Sequence, residues 1–352
     1  MSSNFWPTPA VVAVVAALTL SGCSVFGSED DFSISDALEE LPYAETDGLV
    51  TVEVADLDRA TELADMESPE PGDSDAAGEW LRGFDGPVFV PFSSLLGVQY
   101  LVTGQGREQV GFDVTEVSAF AGVSDPERRF VVEELRDGAG LKDGLPERDG
   151  VRQTAEGEIG EFDAGSADSG DGPYVFVTAL EEKNGRVAFA NQAGLVRDWK
   201  DDDGERLSDH DALGAVAEAL DDAESYAATL VAGDLTFAPS VAADPDVSRA
   251  LECPISAEFD AVGVGQAFDG DSPRIFVSYH FTGESDDLEK QVKAAWSDAE
   301  VAQLSRPVSD LVDLKSVESD GDVVTAELAP VDDRADVVYR MLVARDVPLA
   351  HC

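Results

Sequence analysis

Phe259 to Phe281 reads FDAVGVGQAFDGDSPRIFVSYHF, and this stretch decides the fold. Two strand-like runs, Phe259 to Phe268 and Ile275 to Phe281, are separated by Asp269-Gly270-Asp271, a turn sequence whose glycine reverses the chain without steric cost. In the second run Ile275, Val277, Tyr279 and Phe281 alternate onto one face, while Phe276, Ser278 and His280 share the other. That pattern predicts an antiparallel hairpin with one face buried, not a parallel βαβ unit.

Downstream, Ser285 opens a predicted helix to Glu300, with Leu288, Val292, Ala295, Trp296 and Ala299 on one stripe. Asp286 and Asp287 stand in its electropositive first turn. Asp320-Gly321 separates a short run ending at Val317 from the strand Val323 to Leu328. Asp333 to Arg345 then closes as a helix with Val338, Met341 and Leu342 inward. Residues 241–352 are therefore expected to run strand, strand, helix, strand, strand, helix.

Upstream, Ala238 to Pro254 carries three prolines and is the expected boundary with a first domain over residues 35–240. In that domain Asn184-Gly185 joins the apolar run Tyr174 to Leu180 to Arg186 to Ala190, a hairpin signal. Gly48 to Val54 and Arg129 to Leu135 read as strands, and Asp58 to Met66, Ala139 to Leu145 and Leu195 to Trp199 as helices. Ser35 to Leu41 is expected to form a turn or two of helix capped by Ser35, and Glu67 to Gly78 an exposed loop. Trp80 to Tyr100 reads as core. Asp209 to Ala223 places Leu213, Val216, Ala217 and Leu220 on one helical face, with Ser208 as cap. The expected fold class is α+β: antiparallel sheets with helices on one face, in two lobes whose hairpin-plus-helix units would make them a diverged repeat.

Acidic residues number 73 against 23 basic ones, giving a net charge of −50. Such a surface repels phosphates and anionic headgroups, which excludes nucleic acid as a partner and basic docking on membranes. The acids are spread through every segment, as suits a protein solvated and screened at high salt.

At the N-terminus the apolar run Ala10 to Leu20 (AVVAVVAALTL) is too short to span a bilayer but matches the hydrophobic region of a secretory signal. It ends in Leu20-Ser21-Gly22-Cys23, which resembles the lipobox of bacterial lipoproteins at all four positions. The resemblance implies removal of residues 1–22, lipidation of Cys23, and a tether over residues 23–34. It also implies membrane attachment through the lipid on Cys23, outside the cytoplasm; two or three acyl chains anchor stably where one does not. The whole chain is similar to actinobacterial cell-envelope lipoproteins without an established activity. That likeness lies in Phe112-Asp113-Val114 before Arg129-Phe130-Val131, and in Ala261 to Gly265 before Tyr279-His280. In that compartment Cys253 and Cys352 are expected to pair as a disulfide.

The remaining chemistry is sparse. His210, His280 and His351 fall in separate segments, and HExxH, CxxC, GxSxG, SxxK and P-loop signatures are all missing from the sequence. Gly104-Gln105-Gly106 and Gly263-Val264-Gly265 lack the third glycine of a dinucleotide turn. Asp201-Asp202-Asp203-Gly204 fails the calcium-loop pattern, because Trp199 and His210 would fill its first and last positions. No catalytic residue, metal or cofactor is expected. The function predicted is that of a non-enzymatic, lipid-anchored envelope lipoprotein that binds a small molecule, a lipid or an envelope protein. The alternative is a carboxylate-dependent hydrolase of envelope glycans, which needs two carboxyl groups roughly 5–10 Å apart in a cleft.

Overall fold

The computed structural model describes residues 26, 32–43, 46, 48–95, 105–148, 150–153, 179–236, 254–270, 272–283, 287–301 and 306–351. In chain order the elements begin with α1 (Ile34–Glu39), β1 (Val50–Asp56), α2 (Leu57–Leu63), α3 (Ser74–Gly83) and α4 (Gln105–Gln109). Strands β2 (Val117–Ser124), β3 (Arg129–Leu135), β4 (Glu147–Arg148), β5 (Val151–Gln153), β6 (Ala179–Lys183) and β7 (Arg186–Ala190) follow. Helices α5 (Ala193–Lys200) and α6 (Asp211–Asp222) lead to β8 (Ala227–Ala232), β9 (Phe259–Asp269) and β10 (Ser272–Phe281). The chain ends with α7 (Leu288–Asp298), β11 (Glu300–Val301), β12 (Arg306–Pro307), β13 (Val312–Asp320), β14 (Val323–Pro330) and α8 (Asp336–Val343).

Twelve of these strands form one antiparallel sheet, ordered β13-β14-β10-β9-β8-β1-β2-β3-β7-β6-β5-β4. The α+β class is as read from the sequence. The quoted hairpin is present, with Ser272 opposite Asp269 and Gly270 at φ 60° in its turn. Asn184 (φ 55°) and Gly185 (φ 77°) make a second expected tight turn, both left-handed as a two-residue hairpin of this kind requires, and Gly321 (φ 59°) lies in the third, where Asp320 stands opposite Val323.

The sheet contains a repetition of strand order. The blocks β2-β3-β7-β6 and β9-β10-β14-β13 each consist of a hairpin whose second strand pairs with the last strand of a second hairpin. Between them, β1 and β8 pair antiparallel from Val50 opposite Ala232 to Ala55 opposite Ala227, and each pairs outward with the first strand of its block. This is the arrangement a local two-fold through the β1–β8 pair would generate. The expected separation into lobes has no counterpart as a break in the sheet, because β8 and β9 pair over six residues from Ala227–Gln266 to Ala232–Ala261. The expected boundary, 238–254, lies almost wholly outside the described residues.

Helices cover both faces of the sheet, which corrects the expectation of a single helical layer. Cross-strand register puts Val52, Leu230 and Gly263 on one face, and Glu53, Thr229, Val264, Val277 and Ala326 on the other. The first face packs against α1, α5 and α6 through Leu38, Val196, Trp199, Leu213, Val216 and Leu220. The second packs against α2 and α3 over the first block, and against α7 and α8 over the second. Two-sided cover follows from composition: the strands of the first block bury side chains of both parities, so each face needs a partner.

Gly263 and Gly265 form the seat of α6. A Cβ on Gly263 would stand 2.5 Å from Val216 Cγ1 and 2.9 Å from Leu220 Cδ1, and one on Gly265 would strike Ser225 and Leu220. Close approach, not cofactor binding, accounts for this pair. Three local readings change. Glu67 to Gly78 is not wholly loop, because Asp73 caps α3 from Ala76 N at 3.1 Å and Trp80 is buried. Ala139 to Leu145 is a loop, with the flanking Gly138 and the internal Gly144 at positive φ. The helix caps are Ser33 and His210, not Ser35 and Ser208.

Candidate functional site

Cys23 and its lipobox residues Leu20, Ser21 and Gly22 lie outside the described residues. The chain three residues further on is held by the body. Phe26, inside the expected tether, is fully buried and joins the core under α1, its ring 6.5 Å from that of Phe32. Ser33 N donates to Phe26 O at 2.5 Å. The start of α1 is then fixed to the last turn of α6 through one carboxylate. Asp221 accepts from Ser33 Oγ (3.0 Å), Ile34 N (2.6 Å) and Ser35 N (2.9 Å). A carboxylate that receives two backbone N–H groups of a first helical turn satisfies otherwise orphaned donors, and charge assistance strengthens each bond.

A second polar constellation lies on the opposite face of the sheet, at the seam between the two blocks. Glu53 of β1 is buried, and its carboxylate accepts from the Ser93 hydroxyl, from Ser94 N at 2.5 Å and from the Tyr339 hydroxyl of α8 at 3.1 Å. Tyr226 reaches across to the backbone of Phe89, and the ring of Phe89 packs tilted at 45° against that of Tyr339 with centroids 5.0 Å apart. Phe89, Pro91, Thr229, Val264, Gln266 and Tyr339 border a crevice here that is too narrow to admit a water molecule. The bonds to Glu53 tie β1, the 84–95 segment and α8 together, and the carboxylate is occupied by protein donors.

The histidines serve local structure. His280 Nδ1 meets Asp260 Oδ1 at 2.7 Å on the half-exposed face of the hairpin, beside Ser278, whose hydroxyl meets that of Thr325 at 2.9 Å. His210 caps α6 by accepting from Leu213 N. His351 packs edge-on against Phe259, 5.1 Å between centroids. Asp201 to Gly204 is an exposed helix end where Asp202 pairs with Lys183. Among the described residues no group of three or more His, Cys, Asp or Glu side chains could hold a metal ion.

Cys253 and Cys352 are likewise outside the described residues. Their neighbours are placed: Ile255 and Leu349 share one core cluster, and His351 N donates to Leu235 O at 3.1 Å.

Sequence reasoning missed the buried carboxylates. Glu133 of β3 is fully enclosed, with neither oxygen meeting a hydrogen-bond partner among the described residues. It stands between Phe120 of β2 and Val187 of β7, and this apolar burial pushes its carboxyl up to about 8. Burial also raises Asp56, the cap of α2, to about 6, against the hydrogen bond from Arg59 N that favours its charged form. No local signal sets them apart, since Glu53 shares its strand face with Thr51 in GLVTVEV and Glu133 shares its face with Arg129 in RFVVEEL.

No protein-family model matches this chain, and no curated protein or solved structure matches it either. Among the described residues no helix is long and apolar enough to cross a membrane.

Proposed function

We propose that this protein is a lipid-anchored lipoprotein of the cell envelope, held outside the cytoplasm by the lipid on Cys23, and that its body is a non-enzymatic interaction module. The observation that carries the reading is Leu20-Ser21-Gly22-Cys23 at the end of an eleven-residue apolar run, three residues before a side chain that belongs to the folded core. A signal that ends where the fold begins leaves a mature chain starting at Cys23, and acyl chains there supply a membrane affinity that the acidic body lacks.

The interaction reading draws support from the way polar groups are used. Glu53, His280 and Asp221 are each engaged by partners within the protein, and the space at the seam suits neither a sugar chain nor a cofactor.

The test is Cys23→Ala in a host that lipidates. The wild-type protein is expected in the detergent phase on phase separation, with its N-terminal peptide carrying the mass of a diacylglyceryl group. The variant is expected folded and in the aqueous phase. Detergent partitioning that is unchanged by the substitution would remove the lipoprotein reading.

A further inference from the structure

We infer that Phe26 converts the N-terminal tether into a short leash, so that the membrane surface lies against the end of the molecule where α1 begins and α6 ends. The inference rests on the lipoprotein reading of Cys23 and adds to it an orientation and a contact surface.

Two independent attachments hold the chain at this end. The Phe26 ring is enclosed by the core under α1, and the Ser33–Ser35 segment is bolted to Asp221 of α6 by three hydrogen bonds. From Cys23 to Phe26 there are three residues, which reach at most ~11 Å when fully extended. A free tether over residues 23–34 would reach roughly 40 Å by the same measure. The headgroup layer of one leaflet is itself about 5–8 Å thick. Acyl chains at the end of an ~11 Å leash therefore leave no room for the body to stand clear of the headgroups.

The surface brought there is acidic. Asp222 and Glu224 are exposed at this end, and the half-buried Asp36 stands in the first turn of α1. The partner that fits is a headgroup surface without excess negative charge, or one whose charge is screened by salt, since the Debye length falls to about 3 Å at 1 M. Asp222 would face the bilayer, and Ser208, before the other end of α6, would face away.

The experiment uses the full-length lipidated protein on phosphatidylcholine vesicles that carry an energy-transfer acceptor on their headgroups. A donor is attached through a non-canonical side chain at Asp222 or at Ser208, both exposed. The length of α6, ~18 Å for twelve residues, separates the two positions, so transfer from 222 is expected to exceed that from 208 at least ~2-fold. In Phe26→Ser, and separately in a chain with a ten-residue Gly-Ser insertion between Cys23 and Ser24, the two efficiencies are expected to converge. The insertion leaves Phe26 and the core untouched, so it answers the question even where Phe26→Ser destabilises the body. Equal transfer from both positions in the wild type, or a difference that survives the insertion, overturns the leash. Failure of the wild type to sediment with the vesicles overturns instead the lipid reading of Cys23.

Discussion

The blocks β2-β3-β7-β6 and β9-β10-β14-β13 share a strand order and differ in their cover. In the first, β7 is buried along its whole length, because α5 packs on one face and the α2–α3 side of the molecule on the other. In the second, β14 alternates strictly between half-buried and buried positions: α7 and α8 close one face, and the other is only partly covered by α6. The polar side chains follow the cover. The half-open face of the second block carries matched pairs, His280 with Asp260, Ser278 with Thr325, and Arg274 with Glu327 and Asp269. The closed interior of the first holds Glu133 without a partner among the described residues. One topology thus tolerates either a wet or a dry second face, and the energetic consequence of a polar residue depends on which face receives it.

Glu133→Leu tests that difference most severely. A carboxyl raised from 4.5 to about 8 binds a proton in the folded state that the unfolded chain has released. Its contribution is fully present below pH 4.5 and is lost as pH rises to about 8. A shift of that size corresponds to a fall of about 4–5 kcal/mol across the window. Urea denaturation at pH 5 and at pH 8.5 is expected to show the wild type losing stability relative to Glu133→Leu, with the variant the more stable at the higher pH. Parallel curves for the two proteins would mean that Glu133 is solvated or paired, and the contrast between the blocks would weaken.

The second block closes with the chain terminus, and there the expected Cys253–Cys352 disulfide sharpens the comparison. It would clip the last residue to the entry of β9, beside the Ile255–Leu349 cluster. Non-reducing peptide mapping is expected to recover the two cysteines in one linked peptide pair. Reduction is expected to cost about 2–4 kcal/mol in urea, as closure of a long loop would suggest. Free thiols at both positions in protein isolated without reductant would remove the clip.

The half-buried block was the more legible in sequence for a physical reason. Alternation in IFVSYHF reports one wet and one dry face, whereas the turns, Asp269-Gly270 here and Asn184-Gly185 in the first block, are equally legible through the backbone freedom that each demands. Helix α3 was hidden because only Ala77 and Trp80 on it are buried, too few to set a period. The Ala139 to Leu145 helix failed because Leu141 and Leu145 owe their position to packing on the core of the first block, not to a helical face. Two-sided cover and the continuity of the sheet through β8 and β9 depend on contacts between distant segments. Of the residues that the proposals use, Cys23 is legible as a motif. Phe26 was not, being one aromatic in a small acidic segment, and Glu53 and Glu133 look like any other acid in a chain with 73 of them.

The smallest expected effect is that of Arg274→Ala, and its smallness is informative. Arg274 is about one-fifth exposed and contacts two acids, Glu327 at its side and Asp269 at 2.9 Å, on the open face of the second block. Water can take over both carboxylates when the guanidinium is removed, so the loss is expected at or below ~1 kcal/mol and to shrink further in high salt. Its counterpart in the first block, Arg186 paired with Glu40, is buried, and Glu40 also accepts from Trp199 Nε1 at 2.8 Å. Glu40 is about as exposed as Glu327, so the two cases differ in the guanidinium: removing the more buried Arg186 also empties space inside the closed block, which is the costlier kind of loss. Equilibrium unfolding of Arg274→Ala at low and high salt measures the first case directly. A salt-independent cost well above 1 kcal/mol would place Arg274 in a dry environment, and the second face of that block would then be closed like the first.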